Sequence, residues 1–198
     1  MHSAGCGCKA EHELASSYVC LREYLNIPGI RVFNSNVNPN DGGIIFKRYS
    51  ERLSSPEISS DEDESELLFT VPFTQPCDIG NLLIINESEG PLEVKLYVNR
   101  PEIDFSDIET VTPTQKLSVP PDIHGSYIHL LSVAKFKNVE NLAIYLESKD
   151  KEVKVRYIGL RGRVLDTIKG VVDANYEVIP VGKFSQVISD LKNLRTIQ

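Results

Sequence analysis

Four side chains able to hold a soft or borderline metal ion fall within the first twelve residues: His2, Cys6, Cys8 and His12. Thiolate and imidazole suit Zn²⁺ or Cu⁺, so these are the weak metal-ligand candidates of the chain. Their spacing argues the other way. Cys-x-Cys is tighter than the Cys-x2-Cys of structural zinc sites, and a stretch of Gly, Ser, Cys and His without hydrophobic period has no core to orient ligands. Residues 1–20 are therefore expected to form a flexible arm, with no metal and no cofactor.

A second concentration of chemistry is acidic: Asp61, Glu62, Asp63, Glu64 and Glu66 follow Ser59-Ser60. Calcium fails on spacing. With Asp61 first in an EF-hand loop, the sixth position is Glu66 where Gly is required, and the twelfth is Pro72 where a bidentate Glu is required. What remains is a solvated run that could serve as a partner-binding patch, or carry phosphate on Ser59 or Ser60.

No nucleophile, base and electrophile are grouped in sequence. His124 and His129 flank a strand start without a paired Cys or a third ligand. Cys77 stands between Pro76 and Asp78, and the carboxylate pushes the thiol pKa upward, which fits a structural thiol. Gly159-Leu160-Arg161-Gly162 is wrong in length and content for a phosphate loop; its glycines are expected to let the backbone bend where a strand ends. No catalytic residue is expected, and the chain is not expected to be an enzyme.

The elements that must position these residues are mostly strands. Leu142, Ile144 and Leu146 share one face of an alternating run, and Val153, Val155 and Tyr157 share one face of the next, so 142–162 reads as a β-hairpin across a charged turn. Further strands are expected at 67–73, 82–85, 92–98 and 127–131, with weaker ones at 44–46 and 168–179. The stretches 34–43 and 112–121 read as loops and 54–66 as an acidic linker. Leu14, Tyr18, Leu21 and Leu25 have the spacing of a helical face, as do Phe184, Val187, Ile188, Leu191 and Leu194 near the end. Many short strands with few helices predict a two-sheet antiparallel sandwich of the jelly-roll kind, because only facing sheets can bury each other's apolar rows.

Composition narrows the class. A net charge of −7 over 198 residues argues against a nucleic-acid or anionic membrane partner, and no apolar run is long enough to span a bilayer. Four cysteines, three of them in the first twenty residues, are expected as free thiols. The protein is expected in the cytoplasm and nucleus, monomeric when free. The sequon Asn86-Glu87-Ser88 is expected to be unused.

Several segments together resemble one family. These are Ser60-Asp61 through Glu66-Leu67-Leu68-Phe69, Val71-Pro72-Phe73-Thr74, Leu96-Tyr97-Val98-Asn99-Arg100-Pro101 with Asp104-Phe105, Lys135-Phe136-Lys137-Asn138-Val139, and Tyr157-Ile158-Gly159-Leu160-Arg161-Gly162. In order and spacing, over about residues 21–177, they resemble the PITH domain, which occurs fused to thioredoxin and as a stand-alone protein. Leu21-Arg22-Glu23-Tyr24-Leu25-Asn26 is similar to the family's opening segment, which can be extended rather than helical.

The resemblance implies a galactose-binding-like jelly roll at 21–180, followed by a helical extension at 181–198. It also implies a non-catalytic module that associates with the regulatory particle of the 26S proteasome, with the acidic segment and the C-terminal helix as possible contacts. The chain departs from the family pattern in three ways. Its acidic motif carries one extra residue, it has Arg48-Tyr49 where the family usually has Pro-Trp, and it has no thioredoxin Cys-x2-Cys pair, so redox activity does not carry over. The alternative is a carbohydrate or small-ligand module, against which the lack of Trp and the 8% aromatic content weigh.

Overall fold

The computed structural model of the chain describes residues 18–61, 64–149 and 152–165. In chain order the elements are β1 (Val19–Cys20), β2 (Arg31–Phe33), β3 (Ile58–Ser59), β4 (Glu66–Asn86), β5 (Leu92–Val98), α1 (Phe105–Thr110), β6 (Gln115–Val119), β7 (Ile128–Leu130), β8 (Val139–Glu147) and β9 (Lys154–Val164). Every strand pairing is antiparallel. The expected all-β jelly-roll sandwich is what forms.

One long strand organises it. Separate strands were expected at 67–73 and 82–85, yet β4 runs unbroken for 21 residues through Pro72 and Pro76. Its first half pairs with β8, its second half with β9, and the register shifts between Pro72 and Cys77. A proline has no N–H to give to a neighbouring strand, so this stretch cannot sustain a full ladder and instead carries the chain from one sheet to the other. The first sheet is β2–β4–β8–β5–β6, and the second is β7–β4–β9 with β1 and β3 on the far edge of β9.

The inner faces close on each other as alternation demands. Leu67, Phe69 and Val71 oppose Leu146, Ile144 and Leu142 in the first sheet, and their side chains share one buried cluster with Leu82, Ile84, Val155, Ile158 and Leu160 of the second. Burying side chains of this size contributes about 1.5–3 kcal/mol each, which a single sheet could not obtain.

The expected hairpin does not form. Its two strands exist, but β8 and β9 each pair with a different half of β4. Tyr157 also leaves the face assigned to it. Ile85 pairs with Tyr157 and the next residue, Asn86, with Val155, so Arg156 is an extra residue, a β-bulge that turns Tyr157 outward while Ile158 and Leu160 point in. The glycines do not end the strand either, since β9 continues to Val164. At Gly162 a Cβ would lie 2.0 Å from the Asp78 carbonyl oxygen, so the close approach of β9 to β4 there requires glycine.

Other expectations give way to local chemistry. Residues 18–25 are not a helix: β1 is followed by a 3-10 turn at Leu21–Tyr24, and Leu21 and Leu25 bury their side chains from an extended lead-in. In the stretch at 44–46, Ile44 and Ile45 end a 3-10 helix, Pro39–Ile45, that starts on an Asn38 cap and Pro39, and Phe46 is its C-cap. The supposed linker holds β3, and the supposed loop 112–121 holds β6, paired with β5. The proposed strand at 168–179 and the C-terminal helical stripe lie outside the described residues.

The two outer faces differ. Leu68, Tyr97, Ala143 and Tyr145 of the first sheet are covered by Ile103 and by Ile108 of α1, a short helix started by a reciprocal Asp104–Asp107 capping box. Leu83, Ile85 and Tyr157 form the matching cluster on the second sheet, buried without an α-helix over them among the described residues; the loop at Gly125 lies against Ile85, where a Cβ on Gly125 would come within 3.2 Å.

Candidate functional site

The acidic segment does not act as one unit. Asp61 and Glu64 are exposed, and the Glu64 N–H donates to the Asp61 carbonyl at 3.0 Å; Glu62 and Asp63 lie outside the described residues. Glu66 belongs elsewhere. It starts β4, accepts a hydrogen bond from the Tyr145 hydroxyl and another from Asn34 Nδ2 at 3.5 Å. Burial, together with Glu66 and Glu147, drives the Tyr145 phenol far above its ordinary range, so it stays a donor.

Ser59 and Ser60 are buried, and the Ser60 hydroxyl donates to the Glu64 carbonyl at 2.6 Å while accepting from the Val153 N–H at 3.0 Å. A kinase has no access to such a hydroxyl, which corrects the phosphorylation expectation. Asn86 of the sequon is fully buried and donates to the Gly90 and Val119 carbonyls.

His2, Cys6, Cys8 and His12 lie outside the described residues. Among the described residues no group of three His, Cys, Asp or Glu side chains is placed to hold a metal, and no helix is long and apolar enough to cross a membrane. Cys77 is the structural thiol expected: it is fully buried, and burial, followed by Asp78, pushes it up to about 11. His129 is half-buried, and desolvation lowers its pKa against the opposing pull of Asp122.

One concavity was not anticipated. It lies on the outer face of the second sheet, with a volume of about 310 Å³. Register builds it. Across β4 and β9 the outward pairs are Asn81 with Arg161, Leu83 with Gly159 and Ile85 with Tyr157, while β7 sets Leu130 beside Asn81 and Ile128 beside Leu83. Gly159 makes the floor: a Cβ there would lie 2.5 Å from the Tyr157 hydroxyl oxygen, so only glycine lets that ring lean along the strand. Tyr49, Cys20 and Ile128 complete the walls.

The surroundings are apolar and cationic. Tyr49, Tyr127, Ile128 and Leu130 are 55%, 55%, 52% and 70% exposed. Arg161 is exposed at the edge of the cavity and donates to the Tyr18 carbonyl at 3.2 Å. Arg52 stacks on the Tyr49 ring at 4.2 Å. Burial, joined by Cys20 and Tyr49, pushes the Tyr157 phenol up to about 12, against the opposing pull of Arg52 and Arg22. Asn81 is 92% buried by its 8% exposure, and its Oδ1 has no hydrogen-bond partner.

A buried anion holds the adjoining loop. Both carboxylate oxygens of Asp122 are used: Oδ1 accepts from the His124 and Gly125 N–H groups at 3.1 and 3.0 Å, and Oδ2 from those of Ser126 and Tyr127 at 2.6 and 3.0 Å. Gly125 takes φ +70° inside this wrap. Burial alone would raise the Asp122 pKa, but the four donors outweigh it and hold the carboxyl below its usual range. The loop so fixed delivers Tyr127 and Ile128 to the edge of the cavity.

Residues 11–180 match the model of the PITH domain. The chain belongs to the PITH domain family. PITH domain-containing protein 1 of Homo sapiens is 34% identical over 182 residues, spanning 87% of this chain and 85% of that protein. Its Xenopus laevis counterpart is 28% identical over 185 residues, 89% of this chain and 87% of that one. These PITH relatives are named without an enzymatic activity. Among solved structures, a glycoside hydrolase from Clostridium perfringens in complex with its substrate superposes with a TM-score of 0.50 at 15% identity, over 88% of this chain and 18% of that one. That likeness is one of fold.

Proposed function

We propose that the protein is a non-catalytic interaction module that associates with the regulatory particle of the 26S proteasome, in the cytoplasm and nucleus, without a cofactor. The observation that carries the interaction reading is the outer face of the second sheet, where exposed Tyr49, Tyr127, Ile128 and Leu130 surround an apolar cavity. Soluble monomers seldom leave contiguous apolar surface to water unless something docks there. The PITH resemblance supplies the choice of partner. The acidic stretch at Asp61–Glu64 is a second proposed contact; Glu66, bonded to Tyr145, contributes less to it.

A native pull-down from a cell extract tests the reading. Recovery of regulatory-particle subunits above that of an unrelated acidic protein supports it, and equal recovery refutes it. The carbohydrate alternative rests on a likeness of fold alone and must use a cavity lined mainly by apolar side chains; a glycan array without signal removes it.

A further inference from the structure

We infer that the cavity on the outer face of the second sheet receives an apolar side chain from an acidic peptide segment of a partner protein, with Arg22, Arg52 and Arg161 meeting that segment's carboxylates. The inference deepens the interaction reading and rests on it.

Two features of the surface point to this occupant. Its floor and walls are apolar, from Leu83, Ile128, Tyr157 and Tyr49, and no carboxylate is among the described residues that line it. Around it stand three guanidinium groups, in a chain whose acidic residues outnumber its basic ones by 28 to 21. Arg161 borders the cavity, Arg52 stacks on the Tyr49 ring of its wall at 4.2 Å, and Arg22 lines an adjoining hollow with Cys20, Tyr157 and Gly159. Arg22 also faces Glu23 at 3.6 Å, so it is the most compensated of the three. Arg52 Nε is buried without a partner. The unpartnered Asn81 Oδ1 offers an acceptor for a peptide N–H on the same face.

Range decides between acidic partners. Screening confines exposed charges to about 8 Å at physiological salt, so a short segment seated on this face senses the three arginines. A nucleic acid or an anionic bilayer extends well past that distance and meets the excess negative charge of the rest of the chain. Apolar anchors in a desolvated pocket with charged groups around them are also how binding energy concentrates at protein interfaces.

The test uses the full chain and short fluorescein-labelled peptides of Asp, Glu, Ser and Gly with a central Leu-Phe pair, followed by anisotropy. Two control peptides replace Leu-Phe by Ala-Ala, or every Asp and Glu by Asn and Gln. The expected result is binding about tenfold tighter than either control, weakening as salt is raised. Ile128→Asp, at an exposed position, should abolish the preference while leaving the thermal midpoint unchanged. Arg161→Glu should weaken the acidic peptide and make the salt dependence shallower. Equal affinity for all three peptides, indifference to Ile128→Asp, or capture by phosphatidylserine vesicles in place of peptide overturns the inference. If the peptides bind selectively but no regulatory particle is captured, this surface stands and the proteasome reading falls. If Ile128→Asp protein captures the particle as well as the original chain, the proteasome reading stands and this surface falls.

Discussion

Replacing Asp122 by Asn removes one charge and one of two acceptor oxygens at nearly constant volume. Four backbone N–H groups, at 2.6–3.1 Å, converge on that carboxylate, two on each oxygen. The amide nitrogen can accept from neither of the two donors it faces. Bonds to a charged acceptor contribute about 1.5 kcal/mol each at the low end, so losing two costs about 3 kcal/mol. For a chain of this size that lowers the thermal midpoint by roughly 6–12 °C.

The cost should depend on pH with a definite sign. The folded carboxyl titrates below its unfolded value of about 3.9, because four donors stabilise the charge. Its contribution is therefore complete above that value and is lost as pH falls through the folded pKa. Denaturant unfolding of wild type and Asp122→Asn across this range reads it directly. The gap should be constant at neutral pH and close in strong acid, and amide exchange at 124–127 should accelerate in the variant. A loss below about 1 kcal/mol at neutral pH, or a gap that persists in strong acid, refutes the account of the loop.

Three further outcomes follow from the geometry. At neutral pH Cys77 stays unalkylated in the native chain while exposed Cys20 reacts, because burial pushes Cys77 up to about 11; peptide-level mass spectrometry reads both. Gly162→Ala destabilises by at least about 2 kcal/mol, since its Cβ would meet the Asp78 carbonyl oxygen, backbone that cannot swing away; calorimetry checks it. Neutralising Asp61, Glu62, Asp63 and Glu64 together weakens capture of the regulatory particle at low salt if that patch docks, and changes nothing if the run is only solvated.

How far the sequence could be read depended on where each element found its partner. β5 was legible to the residue because Leu92, Val94 and Leu96 alternate with polar neighbours, and both flanking strands preserve that pleat. The strands β8 and β9 were visible too, but their pairing was not. A short charged turn between two alternating runs reads as a hairpin, and only the long-range competition of β4 for both strands says otherwise. β6 was hidden between Pro113 and Pro120, with Lys116 and Ser118 alternating on its exposed side.

The cavity was hidden for a geometric reason. Its residues come from five separate stretches, around Cys20, Tyr49, Asn81–Leu83, Ile128 and Tyr157–Arg161, which only the fold brings together. The bulge at Arg156 then reverses the facing of Tyr157, and nothing in the local alternation announces it. The acidic run, by contrast, was conspicuous in sequence, yet Glu66 serves the fold through Tyr145.

The most direct test is hydrogen–deuterium exchange of the full chain alone and with purified regulatory particle of the 26S proteasome. The account predicts slowed exchange in the loops bordering the cavity, at 49–53 and 122–127, when the particle is saturating. Unchanged exchange throughout the chain under the same conditions would contradict it.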